Sequence, residues 1–280
     1  MSAPALAPGA DAAMGPGGRL LCLATHHKTG TVWMRKVLHA YMAETGVPVQ
    51  GCYGPRKVDR LPEDGIVMVV NWSGTFPGKL WARDDARFVH LIRDPRDVLL
   101  SGMRYHQIAK LGKEKFLRET RPAWNGQNYQ DHLKALPNDS ERLLFEMGEK
   151  HDKTVQEMLA WRWGHPRAVE LRYEELMADP SCALFRNALE SLGIDGLDID
   201  LMVKLYWDLS LFGGLSEQRA RGDVPRGHIS AVGGGQISQW RSKLPRAVAE
   251  VYARRYGPAL KTLGYAEDDS WGEESPRELA

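Results

Sequence analysis

A short polar loop near the start of the chain carries residue types that bind anions. An apolar run ends at Ala24, a loop containing Lys28 and Gly30 follows, and a helical pattern then begins. The first N–H groups of a helix have no intrahelical acceptor, and the helix dipole adds partial positive charge there. The glycine allows close approach to the backbone, while Thr29 and Thr31 offer hydroxyl donors. This Lys28 loop therefore predicts a phosphate or sulfate site.

Taken alone, the Lys28 loop leaves two interpretations open. The P-loop of nucleoside-triphosphatases has a glycine directly before its lysine and a Ser or Thr directly after it. Here Gly30 instead follows Lys28 by two positions, so that pattern is not met. The other interpretation is an ordinary strand–loop–helix joint with a solvated lysine. A second anion-binding motif is needed to decide between them.

A second candidate begins where another apolar run ends at Arg93. Asp94 and Pro95 are typical of an N-cap and a first helical residue, so Ser101, eight positions after Arg93, falls about two turns along a helix. A guanidinium and a hydroxyl could hold one phosphate, the arginine bidentately. The alternative is a surface ion pair between Arg93 and Asp94 or Asp97.

Strand-like runs alternate with helical patterns along the chain. This alternation predicts an α/β fold, a single domain with a central parallel β-sheet flanked by helices. Ligands of such sheets bind at the carboxyl ends of the strands, and Lys28 and Arg93 each lie just past one. Two stretches are interpreted differently, 111–139 as a lid or insertion and 210–244 as a loop. The predicted strands are 19–25, 65–71, 87–93 and 168–173, and the predicted helices are 31–45, 95–110, 140–163, 174–192, 198–208 and 245–264.

Together the two motifs resemble those of the cytosolic-type sulfotransferase family, with this chain as a bacterial-like member. Those enzymes use 3′-phosphoadenosine 5′-phosphosulfate (PAPS) as the sulfuryl donor and release adenosine 3′,5′-bisphosphate (PAP). Their 5′-phosphosulfate loop has the form K-[ST]-G-T-[TV]-W, which residues 28–33 match throughout. Their 3′-phosphate segment has the form R-[ND]-x-[RK]-D-V-x-x-S, which residues 93–101 match. The resemblance spans roughly residues 20–264 and implies a P-loop-like nucleotide-binding fold.

The resemblance also implies roles for individual residues. Lys28 is expected to stabilise the leaving phosphate. Tyr173 is expected to contact the nucleotide, and Trp33 to stack on the adenine, although each of these two aromatic residues could instead pack in the core. The residues expected to bind PAPS are Lys28, Thr29, Gly30, Thr31, Val32, Trp33, Arg93, Ser101, Tyr173, Ser210, Phe212 and Gly235.

The general base departs from the family pattern. Many members carry a histidine about 22 residues before the 3′-phosphate arginine, and that interval from Arg93 leads to Asn71. An amide is not a competent base near neutral pH. Either His27, beside Lys28, or His106, on the helix after Arg93, could take the acceptor proton, and each could instead be structural. His27 is the expected base, and His106 is interpreted as a structural histidine.

A third family segment, R-K-G-x-x-G-x-W-[KR], also departs from the pattern. Alignment on Trp240 retains the glycine at Gly235 but places Gly233 and Gly234 where an arginine and a lysine are usual. Either a nearby cation replaces them, or the 3′-phosphate is held more weakly. The nearby candidates in the sequence are Arg226, His228 and Arg241.

Composition narrows the partners and the compartment. The 280 residues contain 37 Lys and Arg against 36 Asp and Glu, without the basic excess typical of nucleic-acid binders. Three scattered cysteines fit a reducing cytoplasm and form no zinc motif. No segment approaches the ~20 apolar residues of a membrane span. No carboxylate cluster calls for a metal, and the resemblance implies none.

The predicted organisation is a flexible tail over 1–18, a sulfotransferase domain over 19–265 and an acidic tail over 266–280. The predicted reaction is in-line transfer of a sulfuryl group from PAPS to an acceptor hydroxyl or amine. The acceptor is expected to be a small molecule, sugar or lipid-like alcohol, in a pocket lined by aromatic residues of 72–81 and 111–139. Whether the protein forms a homodimer is left open. The alternatives are a nucleotide-binding pseudoenzyme without a base and a P-loop kinase-like phosphotransferase.

Overall fold

The computed structural model describes residues 17–112, 114–221, 235–268 and 270–276. These residues form two compact units. Within the described ranges, the first unit contains residues 17–93 and 157–221, and the second contains residues 94–156 and 235–276. Among the described helices, none combines the length and the hydropathy that a membrane span requires. Most of the tail predicted over 1–18 lies outside the described residues.

A wholly parallel, five-stranded sheet forms the centre of the first unit. Its strands are β1 (Leu20–Thr25), β2 (Val49–Gly51), β3 (Val67–Asn71), β4 (Ala86–Ile92) and β5 (Ala168–Arg172). The spatial order is β2-β3-β1-β4-β5, and Leu20 of β1 pairs with Val67 on one side and Ala86 on the other. The predicted α/β class with a central parallel sheet is therefore confirmed.

Helices make up most of the remaining regular structure. Several are single turns, and three further segments are 3-10 helices: Lys115–Arg118, Pro122–Trp124 and Ser270–Glu274. The α-helices are α1 (Thr31–Thr45), α2 (Pro55–Val58), α3 (Gly78–Trp81), α4 (Pro95–Ile108), α5 (Tyr129–Ala135), α6 (Asp139–Gly148), α7 (Lys150–Leu159), α8 (Tyr173–Met177), α9 (Ala183–Leu192), α10 (Ile199–Asp208), α11 (Gly214–Ala220), α12 (Trp240–Lys243) and α13 (Arg246–Thr262).

Both faces of the sheet are covered, which explains why its strands are apolar at nearly every position. Successive side chains of a strand point to opposite faces. Leu21 and Leu23 of β1 accordingly pack with α1, α9 and α10, whereas Leu20 and Cys22 pack with an aromatic layer around Trp81 on the other face. Burial raises the pKa of the Cys22 thiol well above its ordinary value, as expected of a core cysteine.

The long elements follow the sequence pattern closely, and the short ones do not. Helix α1 begins and ends where predicted, with Gly46 as its left-handed C-cap at φ 77°. Strand β2 was not predicted, because three residues are too few to show periodicity. The helix predicted over 140–163 is broken at Glu149, and Pro180 lies between the two helices found within 174–192. The loop predicted over 210–244 contains α11 and α12.

A buried polar triad ties together the core of the second unit. His106 Nδ1 lies 2.8 Å from Glu146 Oε2, and the Tyr129 hydroxyl donates to the same oxygen at 2.7 Å. Burial alone would raise the pKa of Glu146, but the charge and hydrogen bond of His106 and the Tyr129 hydrogen bond outweigh it, so the pKa falls below its ordinary value. All three residues are buried, which supports a structural role for His106.

An arginine cage connects α4 with the chain's C-terminal region. Asp94 caps α4 by accepting from the Arg96 N–H, and its carboxylate also pairs with the Arg96 guanidinium at 2.8 Å. That guanidinium lies 3.8 Å from the ring centroid of Trp240 and 4.7 Å from that of Trp271, and it donates to the Tyr265 carbonyl. One buried cation thus joins the start of α4 to three other segments of the second unit.

Part of the acidic C-terminal segment is packed rather than solvated. The sequence predicts a solvated tail from residue 266, yet Ser270–Glu274 forms a 3-10 helix and Trp271 is only 6% exposed. The Arg246 N–H also donates to the carbonyl of Pro276. One aromatic anchor outweighs the surrounding charge, so this stretch packs against its own unit as far as the structure describes it.

We expect Trp271→Ala to lower the free energy of unfolding by about 3 kcal/mol, because it removes a buried ring and one wall of the Arg96 cage. Urea denaturation followed by circular dichroism measures this. Ile108→Ala is the matched control, since Ile108 is 52% exposed on α4 and its loss should change stability by less than about 0.5 kcal/mol. Equal stabilities of the two variants would mean that the segment does not pack.

Candidate functional site

The carboxyl ends of the parallel strands gather the predicted site residues of the first unit at one edge of the sheet. Lys28 follows β1, Arg93 directly follows β4, and Tyr173 directly follows β5. From β1 the chain runs to β2 and then to β3 on one side, and later to β4 and β5 on the other. The neighbouring pair β1 and β4 is therefore the topological switch point, where α/β sheets bind ligands.

Hydroxyl groups close the Lys28 loop from within. The carbonyl of His26 accepts from the Thr29 N–H at 3.2 Å, from Thr29 Oγ1 at 3.0 Å and from Thr31 Oγ1 at 2.8 Å. Thr29 Oγ1 also lies 3.3 Å from the Leu91 carbonyl, and Thr31 Oγ1 lies 2.7 Å from Thr25 Oγ1, so both hydroxyls have acceptors within the protein. Both hydroxyls help to shape the turn, and their donation to an anion stays a prediction.

Backbone geometry opens the site at the start of α1. Gly30 is the N-cap, with φ 105°, and the helix leaves the N–H groups of Thr31, Val32 and Trp33 without an intrahelical acceptor. A Cβ at Gly30 would lie 3.1 Å from the Leu91 side chain and 3.3 Å from the Tyr173 ring. Only glycine suits both the φ and the space, so three backbone donors can approach an anion.

Arg93 links the two predicted anion motifs directly. Its side chain is buried, and Nη1 donates to the carbonyl oxygen of Lys28 at 3.3 Å. Its guanidinium also lies 4.7 Å from the ring centroid of Tyr173. Lys28 has φ 65°, a left-handed conformation that costs a non-glycine residue roughly 1 kcal/mol. The structure thus brings Lys28, Arg93 and Tyr173 together.

Aromatic rings surround Trp33 beside this group. Its ring centroid lies 4.3 Å from that of Tyr206. The rings of Phe212 and Tyr173 are nearly perpendicular to it, with centroids 5.6 and 6.5 Å away. Trp33 Nε1 donates to the Tyr206 carbonyl, and both Trp33 and Phe212 remain half-buried. Ser210 is buried and donates to the Trp207 carbonyl, which stabilises the turn that presents Phe212.

Two predicted site residues belong to the second unit. Ser101 is buried on α4, and Gly235 is half-buried with φ 78°. Arg241 is exposed, and its guanidinium lies 4.5 Å from the ring centroid of Trp240. The remaining residues of the third segment, Gly233, Gly234, Arg226 and His228, lie outside the described part of the chain.

Asn71 organises a turn at the end of β3. Its Oδ1 accepts from the N–H groups of Ser73 and Thr75, and its Nδ2 donates to the carbonyls of Cys52 and Thr75. This buried amide therefore uses both donors and its oxygen in fixing the turn. His27 lies beside Lys28 and, unlike the neighbouring His26, is only half-buried.

A buried histidine pair beneath the Lys28 loop was not anticipated. His26 Nε2 lies 2.8 Å from His90 Nε2, and the His90 ring stacks on Trp161 with centroids 4.1 Å apart. Burial, reinforced by His26, holds the pKa of His90 well below its ordinary value. In this contact one Nε2 donates and the other accepts. No described Cys, Asp, Glu or third His joins them in a group that could hold a metal.

Most of the aromatic residues suggested as acceptor walls are core residues. Trp81, Trp124 and Tyr129 are each at most 5% exposed. Trp72 is half-buried next to the Asn71 turn. Its backbone N–H donates to the Tyr53 hydroxyl, and the Tyr53 residue is 55% exposed. Trp72 and Tyr53 thus form a contacting aromatic pair that remains accessible.

Comparison with known proteins gives one family and one fold. The family described as "Sulfotransferase domain" matches residues 71–264. The crystal structure of mouse sulfotransferase SULT7A1 complexed with PAP superposes with a TM-score of 0.57 at 13% identity, covering 92% of this chain and 87% of that chain. No curated protein matches in sequence.

Two retinol dehydratase structures are also similar. The complex with androsterone and PAP has a TM-score of 0.48 at 16% identity, with 89% of this chain and 82% of that chain covered. The complex with retinol and PAP has a TM-score of 0.49 at 17% identity, with coverages of 89% and 83%. At these values neither structure adds to the family match.

The matched range contains Arg93, Ser101 and Tyr173 and begins after the Lys28 loop. It covers well over half of the chain, and the parallel sheet has the architecture of the mouse enzyme's fold. The chain therefore belongs to the sulfotransferase family.

Proposed function

We propose that this protein is a PAPS-dependent sulfotransferase that transfers a sulfuryl group to a hydroxyl or amine of a small-molecule acceptor. The observation that carries the proposal is the hydrogen bond from Arg93 to the Lys28 carbonyl beside the Tyr173 ring. It joins two motifs that each suit an anion at the switch point of the sheet. A donor with phosphate groups at both ends of its nucleoside needs two such motifs.

The residues present fit this donor. The N–H groups of Thr31, Val32 and Trp33 and the charge of Lys28 suit the 5′-phosphosulfate, since Gly30 keeps the space above the backbone open. Thr29 contributes by shaping the loop. Arg93 is proposed as a ligand of the 3′-phosphate, as are Ser101 and Gly235 of the second unit. Trp33, Tyr173, Ser210 and Phe212 are proposed to form the adenine end.

Two side chains of the Lys28 loop have chemical roles in this proposal. PAPS supplies an activated sulfuryl group, whose transfer leaves negative charge on the phosphate oxygen it departs from. Lys28 and the α1 N–H groups stabilise that charge, and preorganised donors of this kind contribute ~3 kcal/mol each. His27 accepts the proton of the acceptor, a contribution on the order of 10²–10⁴-fold.

The acceptor is proposed to be a small molecule, sugar or lipid-like alcohol that packs against Trp72 and Tyr53. Aromatic walls of this kind suit flat or amphipathic alcohols. We also propose a cytoplasmic location, because Cys22, Cys52 and Cys182 are all buried and unpaired, as in proteins of reducing compartments.

Incubation with radiolabelled PAPS and a panel of phenols, sugars, sterols and amines tests the proposal. We expect time-dependent transfer of label to at least one acceptor, with PAP as the second product. A protein that binds PAP but transfers to none of them would be a nucleotide-binding pseudoenzyme. A protein that binds ATP in preference to PAP would contradict the proposal.

We expect Lys28→Ala to lower kcat about 10²–10³-fold while weakening PAP binding less than about tenfold, because the lysine acts on charge that develops in the transition state. Steady-state kinetics and calorimetric PAP titration measure the two quantities. Lys36→Ala, at an exposed position of α1, is the matched control. A kcat within a few-fold of the wild-type value would exclude the leaving-group role.

We expect His27→Asn to lower kcat at least 10²-fold and to leave PAP affinity unchanged, since the substitution removes the base but not the anion site. The pH dependence of kcat should also lose its acidic limb. His39→Asn, exposed on α1, is the matched control. If the His27 variant kept the wild-type pH profile, the base would have to be another residue.

A further inference from the structure

Two cationic side chains of the second unit converge on one neutral oxygen. Arg104 donates from Nη1 to Oε1 of Gln239 at 3.1 Å, and Lys243 donates from Nζ to the same oxygen at 2.9 Å. Neither cation forms an ion pair with a carboxylate within the described part of the chain. Two like charges therefore lie close together around an acceptor that carries no compensating charge, an arrangement that favours an added anion.

The surroundings hold this cluster in place. Gln239 is 5% exposed, and its Nε2 donates to the Gln236 carbonyl at 3.1 Å. The backbone N–H of the next residue, Trp240, donates to Oδ1 of the buried Asp97, and its ring packs on the Arg96 guanidinium. Arg104 and Lys243 remain half-buried, so a ligand can still reach them.

Ser101 lies on the same side of α4 as Arg104. Residues three apart on a helix are neighbours on its surface, so the hydroxyl and the guanidinium can meet one ligand. A guanidinium, an ammonium and a hydroxyl together suit the tetrahedral oxygens of a phosphate.

We infer that Arg104 and Lys243 bind a phosphate group of the nucleotide. This phosphate is the 3′-phosphate of PAPS, because Ser101 is a ligand of the 3′-phosphate in the proposed site. The assignment rests on the proposed function. Arg104 and Lys243 then take the place of the arginine and lysine that are usual in the family at the positions of Gly233 and Gly234. Gln239 is the positioning residue that orients both cations.

Calorimetric titration with PAP and with adenosine 5′-monophosphate, which lacks the 3′-phosphate, tests this inference. We expect Arg104→Gln and Lys243→Gln each to weaken PAP binding about tenfold and to change binding of the monophosphate less than twofold. The salt dependence of PAP binding should also decrease in each variant. Arg254→Gln and Lys36→Gln remove the same charge at exposed positions and should leave both affinities unchanged.

Gln239→Glu separates ligand binding from structure. An added carboxylate would pair with both cations, and the Gln239 amide hydrogen bond to the Gln236 carbonyl would be lost. The melting temperature should therefore be retained, while PAP affinity falls more than tenfold and monophosphate affinity does not.

The outcomes separate the inference from the function. Wild-type protein that fails to bind PAP would overturn the proposed function and, with it, the assignment of the phosphate. Wild-type protein that binds PAP, with variants that keep wild-type selectivity over the monophosphate, would overturn this inference alone. If the variants lost affinity for both nucleotides in parallel, or had a lower melting temperature, the cluster would have a structural role and the inference would be wrong.

Discussion

Arg93 is buried where β4 ends, and its Nη1 donates to the Lys28 carbonyl while its guanidinium lies against the Tyr173 ring. Lys28 has a left-handed backbone that an isolated chain would disfavour. The contact from Arg93 helps to hold that conformation, which turns the chain into α1 and frees three backbone N–H groups. The arginine thus shapes the neighbouring motif as well as supplying charge, and the proposed site depends on this interaction.

The rest of the first unit secures both ends of this contact. The β1–β4 pairing fixes the strands from which the two segments emerge, and the His26–His90 hydrogen bond joins them again just beneath the loop. The second unit uses the same short motif differently. Asp94 and Arg96 form a cap and a cage with Trp240, so one run of residues 93–97 serves both the proposed chemistry and the fold.

Local sequence rules predicted β1, β3, β4 and β5, helix α1 and the edge of the sheet where Lys28 and Arg93 lie, because apolar periodicity and strand polarity determine these features. The fine structure of the site depends on partners far apart in sequence. His26 and His90 are 64 positions apart, and only a polar residue within the apolar run of β4 hinted at their pairing. The contact of the Thr29 hydroxyl with the Leu91 carbonyl and the burial of Trp271 likewise follow from tertiary contacts, which composition does not reveal.

The central claim is that the Lys28 and Arg93 motifs together form a site for a nucleotide with a phosphate at each end. The most direct measurement compares the melting temperature of the wild-type protein in PAP, ATP and adenosine 5′-monophosphate, each at the same concentration without added metal. Preferential binding to the folded state raises the melting temperature. We predict the largest rise with PAP and smaller rises with the other two. An equal or larger rise with ATP would contradict the account.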